Sequence, residues 1–151
     1  MPQTRTSIEL SGAGYRRLAE FRSRIRQFLH FSEEAARTHG LEPQQHQLLL
    51  AIKGLPEGAR PTVRTISDRL CLRHHSTVEL INRLAERGAI VRRPSEHDRR
   101  EVLVEMTAVG EELLRNLSLL HWQELQVAGP ALSEAIYDIL NHAPKTARTS
   151  A

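Results

Sequence analysis

Residues 97–110 read HDRREVLVEMTAVG: three adjacent charges, a short apolar alternation, then a threonine and a glycine three positions apart. Such a charge run is ordinarily a solvated loop, and its flanks decide otherwise. AIVRR (89–93) and EVLVEM (101–106) are β-prone segments joined by PSEHDRR (94–100). They predict a hairpin in which Ile90 and Val91 oppose Val102 and Val104, with Asp98, Arg99 and Arg100 at its tip.

Ahead of the hairpin, Thr62 is a good N-cap for a short helix, VRTISDRL, burying Val63, Ile66 and Leu70. RHHSTVELINRLAERG follows, with Val78, Ile81, Leu84 and Ala85 in a helical stripe and Gly88 as its stop. Two short helices, a tight connection and a one-sided second helix describe a helix-turn-helix. A hairpin directly behind it is a wing, so the three charges sit on a projecting arm.

Outside this block the pattern is helical. Tyr15, Leu18, Ile25, Phe28, Leu29, Ala35 and Ala36 mark a helix from Tyr15 to about Thr38, and Gly40 stops it. A second helix begins at Pro43, where the missing N–H costs nothing, and carries Leu48, Leu49, Leu50 and Ile52. After the hairpin, Thr107 caps a long helix through Leu113, Leu117 and Leu120 to about Leu125. Gly129 and Pro130 are expected to break it. A last helix, ALSEAIYDILNH, should bury Leu132, Ile136, Ile139 and Leu140. Residues 1–13 and 143–151 read as flexible tails.

The fold class is therefore mostly α with a small β-wing: a winged helix-turn-helix between N- and C-terminal helices. The whole chain, 1–151, reads as one domain, with about 43–106 as the winged helix-turn-helix and about 15–42 and 107–142 as dimerisation helices. Two long helices with apolar stripes have too little of their own chain to cover them, so a second copy is expected to share the burial.

Composition limits the function. The net charge is +3 over 151 residues, but residues 60–104 hold ten basic and six acidic groups, a local balance of +4. Only Lys53 and Lys145 are lysines; the other basic residues are arginines, whose planar fork suits phosphate. No apolar run is long enough for a membrane span, and the N-terminus lacks a secretion signal. One cysteine leaves no internal disulfide, so a cytoplasmic protein is expected. No nucleophile with a nearby base, no metal-ligand set and no Gly-rich phosphate loop is visible, which argues against an enzyme and against a cofactor. Eight histidines are scattered and read as ordinary surface or interface residues; His74 and His75, being adjacent, point in different directions. Cys71, between the two helices of the reader motif, reads as a small buried hydrophobe.

So laid out, the chain resembles the MarR (multiple antibiotic resistance regulator) family of bacterial transcription factors from about Tyr15 to Leu140. The most specific stretch is DRREVLVEMTAVG, with Asp98 and Arg100 at the wing tip and Met106, Thr107 and Gly110 opening the long helix. TVRTISDRL, STVELINRLAERGAIVRR and LEPQQHQLLLAI support it in order and spacing. The resemblance implies a homodimer on short palindromic operators, usually repressing, in many members released by a small aromatic or anionic molecule.

On that basis the partners are double-stranded DNA, a second copy and a small effector. The DNA-contacting set is Arg73, His74, His75, Ser76, Thr77, Glu79, Asn82 and Arg83 on the reader helix, with Arg92, Arg93, Asp98, Arg99 and Arg100 on the wing. The first helical turn would meet base edges or phosphates in the major groove. The resemblance casts Arg100 as the minor-groove arginine and Asp98 as its holder. Glu79 is the odd member, tolerable if it accepts from a cytosine amino group or braces Arg83. Arg24, Phe28, Phe31, His46 and Trp122 are candidates for an effector pocket. The competing reading is a non-sensing winged-helix module, architectural or protein-binding.

Overall fold

The computed structural model describes residues 10–144. The order is α1 (Gly12–Thr38), α2 (Pro43–Lys53), α3 (Val63–Leu70), α4 (His74–Glu86), β1 (Ile90–Pro94), β2 (Val102–Met106) and α5 (Ala108–Asn141). The fold is mostly helical with a two-stranded wing. Most of both expected tails lies outside the described residues; Gly12 and Ala13 already belong to α1.

Local chemistry explains each boundary. Ser11 caps α1 by accepting the Gly14 N–H at 3.2 Å. At the head of α2, the Gln45 side chain accepts the Glu42 N–H at 3.0 Å and Pro43 takes the first turn. Thr62 caps α3 by accepting the Thr65 N–H at 3.1 Å. Gly88, at φ +71°, ends α4: its N–H reaches the Ala85 carbonyl at 2.9 Å, and the Ala89 N–H reaches Leu84 at 3.0 Å.

The chain divides into two compact units. One comprises residues 32–121; the other comprises the residues up to Phe31 and those from Trp122 onward. In the first, α2, α3 and α4 close around Leu48, Leu49, Ile66, Ile81 and Leu84, and Ala36, Ile90, Val104, Leu114 and Leu117 extend the same core. At roughly 1.5–3 kcal/mol per buried aliphatic side chain, this cluster is the main stabilising term of that unit. The second unit comprises the outer parts of α1 and α5.

Two expectations about the elements fail. The strands are antiparallel, but Ile90 pairs with Met106, Val91 with Glu105, Arg92 with Val104 and Pro94 with Val102. The connecting loop sets this register: the Ser95 N–H donates to the Glu101 carbonyl at 2.9 Å, one step beyond the last strand pair. Ile90 and Val104 are buried, whereas Val91 and Val102 are exposed. Segment 61–62 adds a short third edge through the Thr62–Leu103 bridge and the Val104 N–H to the Pro61 carbonyl at 2.9 Å.

The second failure is the break at Gly129 and Pro130: α5 runs through both as one helix. Proline removes the bond to the Gln126 carbonyl, but Gln126 is exposed and water can replace the lost donor. A residue before proline is pushed out of helical geometry partly by its Cβ, and Gly129 has none. Past the proline, Ala135 is buried, while Ile136 and Leu140, expected to be covered, are exposed.

Candidate nucleic-acid interface

The site consists of α4, the wing, and the segment that joins α2 to α3. α4 buries Thr77, Leu80, Ile81 and Leu84. This places His74, His75, Glu79, Asn82 and Arg83 in solvent, with Ser76 half-buried. Thr77 is placed elsewhere: it is 0% exposed, in the interior between α3 and α4. Helical sequence spacing put it in the same turn as the exposed His74 and the half-buried Ser76, but its position in the chain could not show which side of that turn faces α3. Glu79 lies beside His75 (Oε1 to Nε2, 3.5 Å). Arg73 is exposed at the N-cap position of α4 without a side-chain cap.

At the wing tip, the Asp98 carboxylate accepts the backbone N–H of Arg100 at 2.9 Å, and its carbonyl accepts the Glu101 N–H at 3.0 Å. Asp98 thus shapes the backbone that presents Arg100. Among the described residues neither Arg99 nor Arg100 forms a salt bridge, and both are exposed. Ser95 is buried and accepts the His97 N–H at 3.2 Å, closing the base of the tip. Lower on the wing, Arg93 is paired with Glu105 at 2.5 Å. Arg92 donates to the Asn82 side-chain oxygen, linking the wing to the exposed face of α4.

Three positioning contacts were not legible in the sequence. Arg60, before α3, pairs with Glu101 where the tip loop of the wing closes. Arg87, at the end of α4, donates to the Gly40 carbonyl and to Gln45. Both bridge more than forty residues of chain, a distance over which one sequence carries no pairing signal. The third lies at the foot of α5: the Thr107 hydroxyl donates to the Gly88 carbonyl at 2.5 Å.

Cys71 departs from its expected place. It is exposed and ends α3 in the left-handed conformation, φ +53°. The turn needs that backbone angle at this position, and the cysteine side chain is carried outward with it.

The histidines are not all surface residues either. His46 is 2% exposed, and its ring centroid lies 4.8 Å from that of His121. Burial first, and the neighbouring His121 second, lower its pKa to about 4. His121 meets the Leu117 carbonyl through Nδ1 (2.6 Å) and the Ser32 hydroxyl through Nε2 (2.7 Å). A carbonyl can only accept, so Nδ1 carries a proton and donates to Leu117. No group of three or more His, Cys, Asp and Glu able to hold a metal occurs among the described residues.

Of the effector candidates, Arg24, Phe28 and Phe31 fall on one side of α1, with Arg24 bonded to Glu20 at 2.7 Å. Trp122, on α5, is 69% exposed. His46 belongs to the unit of residues 32–121. A groove of about 710 Å³ in that unit is lined by Lys53, Ala108, Glu111, Glu112, Leu114, Arg115 and Ser118 and includes none of the five.

The architecture is that of a winged-helix protein. The profile of the MarR family matches residues 39–101, from the head of α2 to the wing tip. A Thauera aromatica protein named as a putative transcriptional regulatory protein for the hcr operon is 28% identical over 114 residues, covering 76% of this chain and 67% of that protein. AbsC, a MarR family transcriptional regulator from Streptomyces coelicolor, superposes with a TM-score of 0.70 at 18% identity, over 81% of this chain and 82% of AbsC. A cysteine-to-serine mutant of MarR from E. coli, complexed with operator DNA, superposes with a TM-score of 0.64 at 19% identity, over 82% of this chain and 90% of that one. At such identities the structural likeness is one of fold. With the matched segment it makes the chain similar, from residue 39 to residue 101, to the MarR family of winged-helix transcriptional regulators. No helix among the described residues is long and apolar enough to cross a membrane.

Proposed function

We propose that the chain is a sequence-specific regulator that binds a palindromic operator as a homodimer and acts as a repressor. The observation that carries this reading is the exposed polar face of α4 beside an arginine-tipped wing. His74, His75, Ser76, Asn82 and Arg83 are the base-edge and phosphate contacts, Arg92 and Arg93 flank them, and Arg99 and Arg100 enter or line the adjacent minor groove. Asp98 shapes the tip. Arg73 meets phosphate at the start of α4.

Dimerisation is supported by the terminal unit, where Tyr15, Trp122, Val127, Tyr137 and Leu140 are all exposed, Leu140 at 73%. Scattered apolar exposure is normal, but this many large side chains on two helices favours a second copy as cover. Dimerisation sets two reader helices about one DNA turn, ~34 Å, apart. In this reading residues 15–42 and 107–142 are the dimerisation helices. A small aromatic or anionic effector eases the protein off DNA, as the family resemblance implies, with Arg24, Phe28 and Phe31 offering an anion partner and aromatic walls on one side of α1.

Fluorescence anisotropy with the duplex upstream of the protein's own reading frame, against a scrambled duplex and over a salt series, tests the reading. Tight, palindrome-dependent binding by two chains with a steep salt slope is expected. Equal, weak affinity for both duplexes would overturn it in favour of an architectural or protein-binding module.

A further inference from the structure

Between α3 and α4, two hydroxyls meet in the interior. Ser67, 6% exposed, and Thr77, 0% exposed, are 2.9 Å apart, Oγ to Oγ1. Ser67 Oγ also lies 2.7 Å from the Val63 carbonyl, and Thr77 Oγ1 lies 3.2 Å from the Arg73 carbonyl. Two hydroxyl protons serve these three contacts. Three arrangements are possible: Thr77 donates to Ser67 and Ser67 to Val63; Ser67 donates to Thr77 and Thr77 to Arg73; or each hydroxyl donates to the carbonyl of its own helix. The third would leave two oxygen lone pairs facing each other at 2.9 Å, a repulsive contact, so the interhelical bond of the first two is favoured.

This bond occupies a position where direction matters. Thr77 is in the first turn of α4, between the exposed His74 and half-buried Ser76 on one side and Asn82 on the next turns. Leu80, Ile81 and Leu84 hold the helix against its neighbours, but apolar contact is non-directional, and a slip of one residue rotates a helix by about 100°. A hydroxyl pair tolerates only a narrow range of distance and angle. It also adds little net stability, because replacing both partners by apolar groups of the same shape is close to neutral.

We propose that the Ser67–Thr77 hydroxyl pair is a positioning device that fixes the rotation of the reader helix and thereby sets base discrimination, not stability or non-specific affinity. Ser67 and Thr77 touch no DNA; they act through the side chains that α4 presents. The inference rests on the DNA-reading function proposed above.

The test begins by enriching duplexes from a randomised library with the wild-type chain. Affinity for the enriched duplex and for a scrambled one is then measured for the wild type, for the double variant Ser67→Ala/Thr77→Val, and for Thr77→Ser, which keeps the hydroxyl. The double variant is expected to melt at or above the wild-type temperature and to bind the scrambled duplex as the wild type does. Its preference for the enriched duplex should fall about tenfold or more, the scale of one or two misread base pairs. Thr77→Ser should keep most of the preference. Unchanged discrimination in the double variant overturns this proposal alone, and so does a marked loss of stability. A wild-type chain that enriches no motif overturns the DNA-reading function and this proposal with it.

Discussion

The Thr107 hydroxyl donates to the Gly88 carbonyl at 2.5 Å, and the Thr107 N–H donates to the Ala89 carbonyl at 3.0 Å. The residue that starts α5 is thus fastened to the residues that end α4. Its hydroxyl also receives the Gly110 N–H at 3.3 Å, capping the new helix. The threonine and the glycine three positions on form one joint between the reader helix and the long helix.

Gly110 is required at that joint by space. A Cβ there would overlap the Ala89 carbonyl oxygen and lie 2.9 Å from Met106 Cγ. Backbone cannot yield as a flexible side chain can. Gly110→Ala is therefore expected to destabilise the fold by about 3 kcal/mol despite the better helix propensity of alanine. Urea unfolding followed by circular dichroism reads this; a wild-type midpoint would show that α5 can move away at no cost.

Cys71 makes the opposite prediction. Its φ of +53° is a conformation in which a Cβ costs roughly 1–2 kcal/mol. Glycine removes that cost but gives the unfolded chain more freedom. Cys71→Gly should raise stability by about 0.5–1 kcal/mol, visible as a higher melting temperature. In the wild type the exposed thiol should react stoichiometrically with a thiol reagent without denaturant. A thiol that reacts only after unfolding would contradict its placement.

How far the sequence reaches follows the range of each interaction. The Thr62 cap, the Pro43 start and the Gly88 stop are local, and they are legible because a few consecutive residues carry the whole signal. The order of helices and the wing followed from these. The wing register did not, because the Ser95–Glu101 bond that sets it depends on how the loop closes. The α5 break failed because a proline rule ignores what solvent can repair. Thr77 was taken for a DNA-facing group, and His46 for a surface or interface residue or a pocket wall, because a helical wheel shows an amphipathic face but not which neighbour covers a polar residue on it. The wing tip was legible as charge; that Asp98 grips the backbone of Arg100 required the fold.

That grip separates the roles of the two residues. Arg100→Ala removes a cation, while Asp98→Ala leaves the cation and frees the backbone that carries it. Arg100→Ala is expected to weaken operator binding about tenfold or more and to lower the salt slope by about one. Asp98→Ala should weaken binding less and leave the salt slope near the wild type. Anisotropy over a salt series separates these, with far-UV circular dichroism unchanged in both. Equal loss of slope in the two variants would mean that Asp98 does not act through the loop.

His46 makes stability depend on pH. Its folded pKa, lowered to about 4 by burial and by His121, lies below the ordinary histidine value of 6.5, so the folded state keeps the ring neutral where the unfolded chain already binds a proton. Between those two values the unfolded state holds more protons, and stability rises with pH. The contribution is complete above pH 6.5 and is lost as the pH falls toward 4, amounting to about 3 kcal/mol across the window. His46→Gln, neutral throughout, should flatten that part of the profile. Urea midpoints at pH 7 and pH 4.5 measure it: the wild type should lose clearly more stability than the variant. Parallel losses in the two proteins would assign the acid sensitivity to other groups and place the His46 ring in a better-solvated site than its burial indicates.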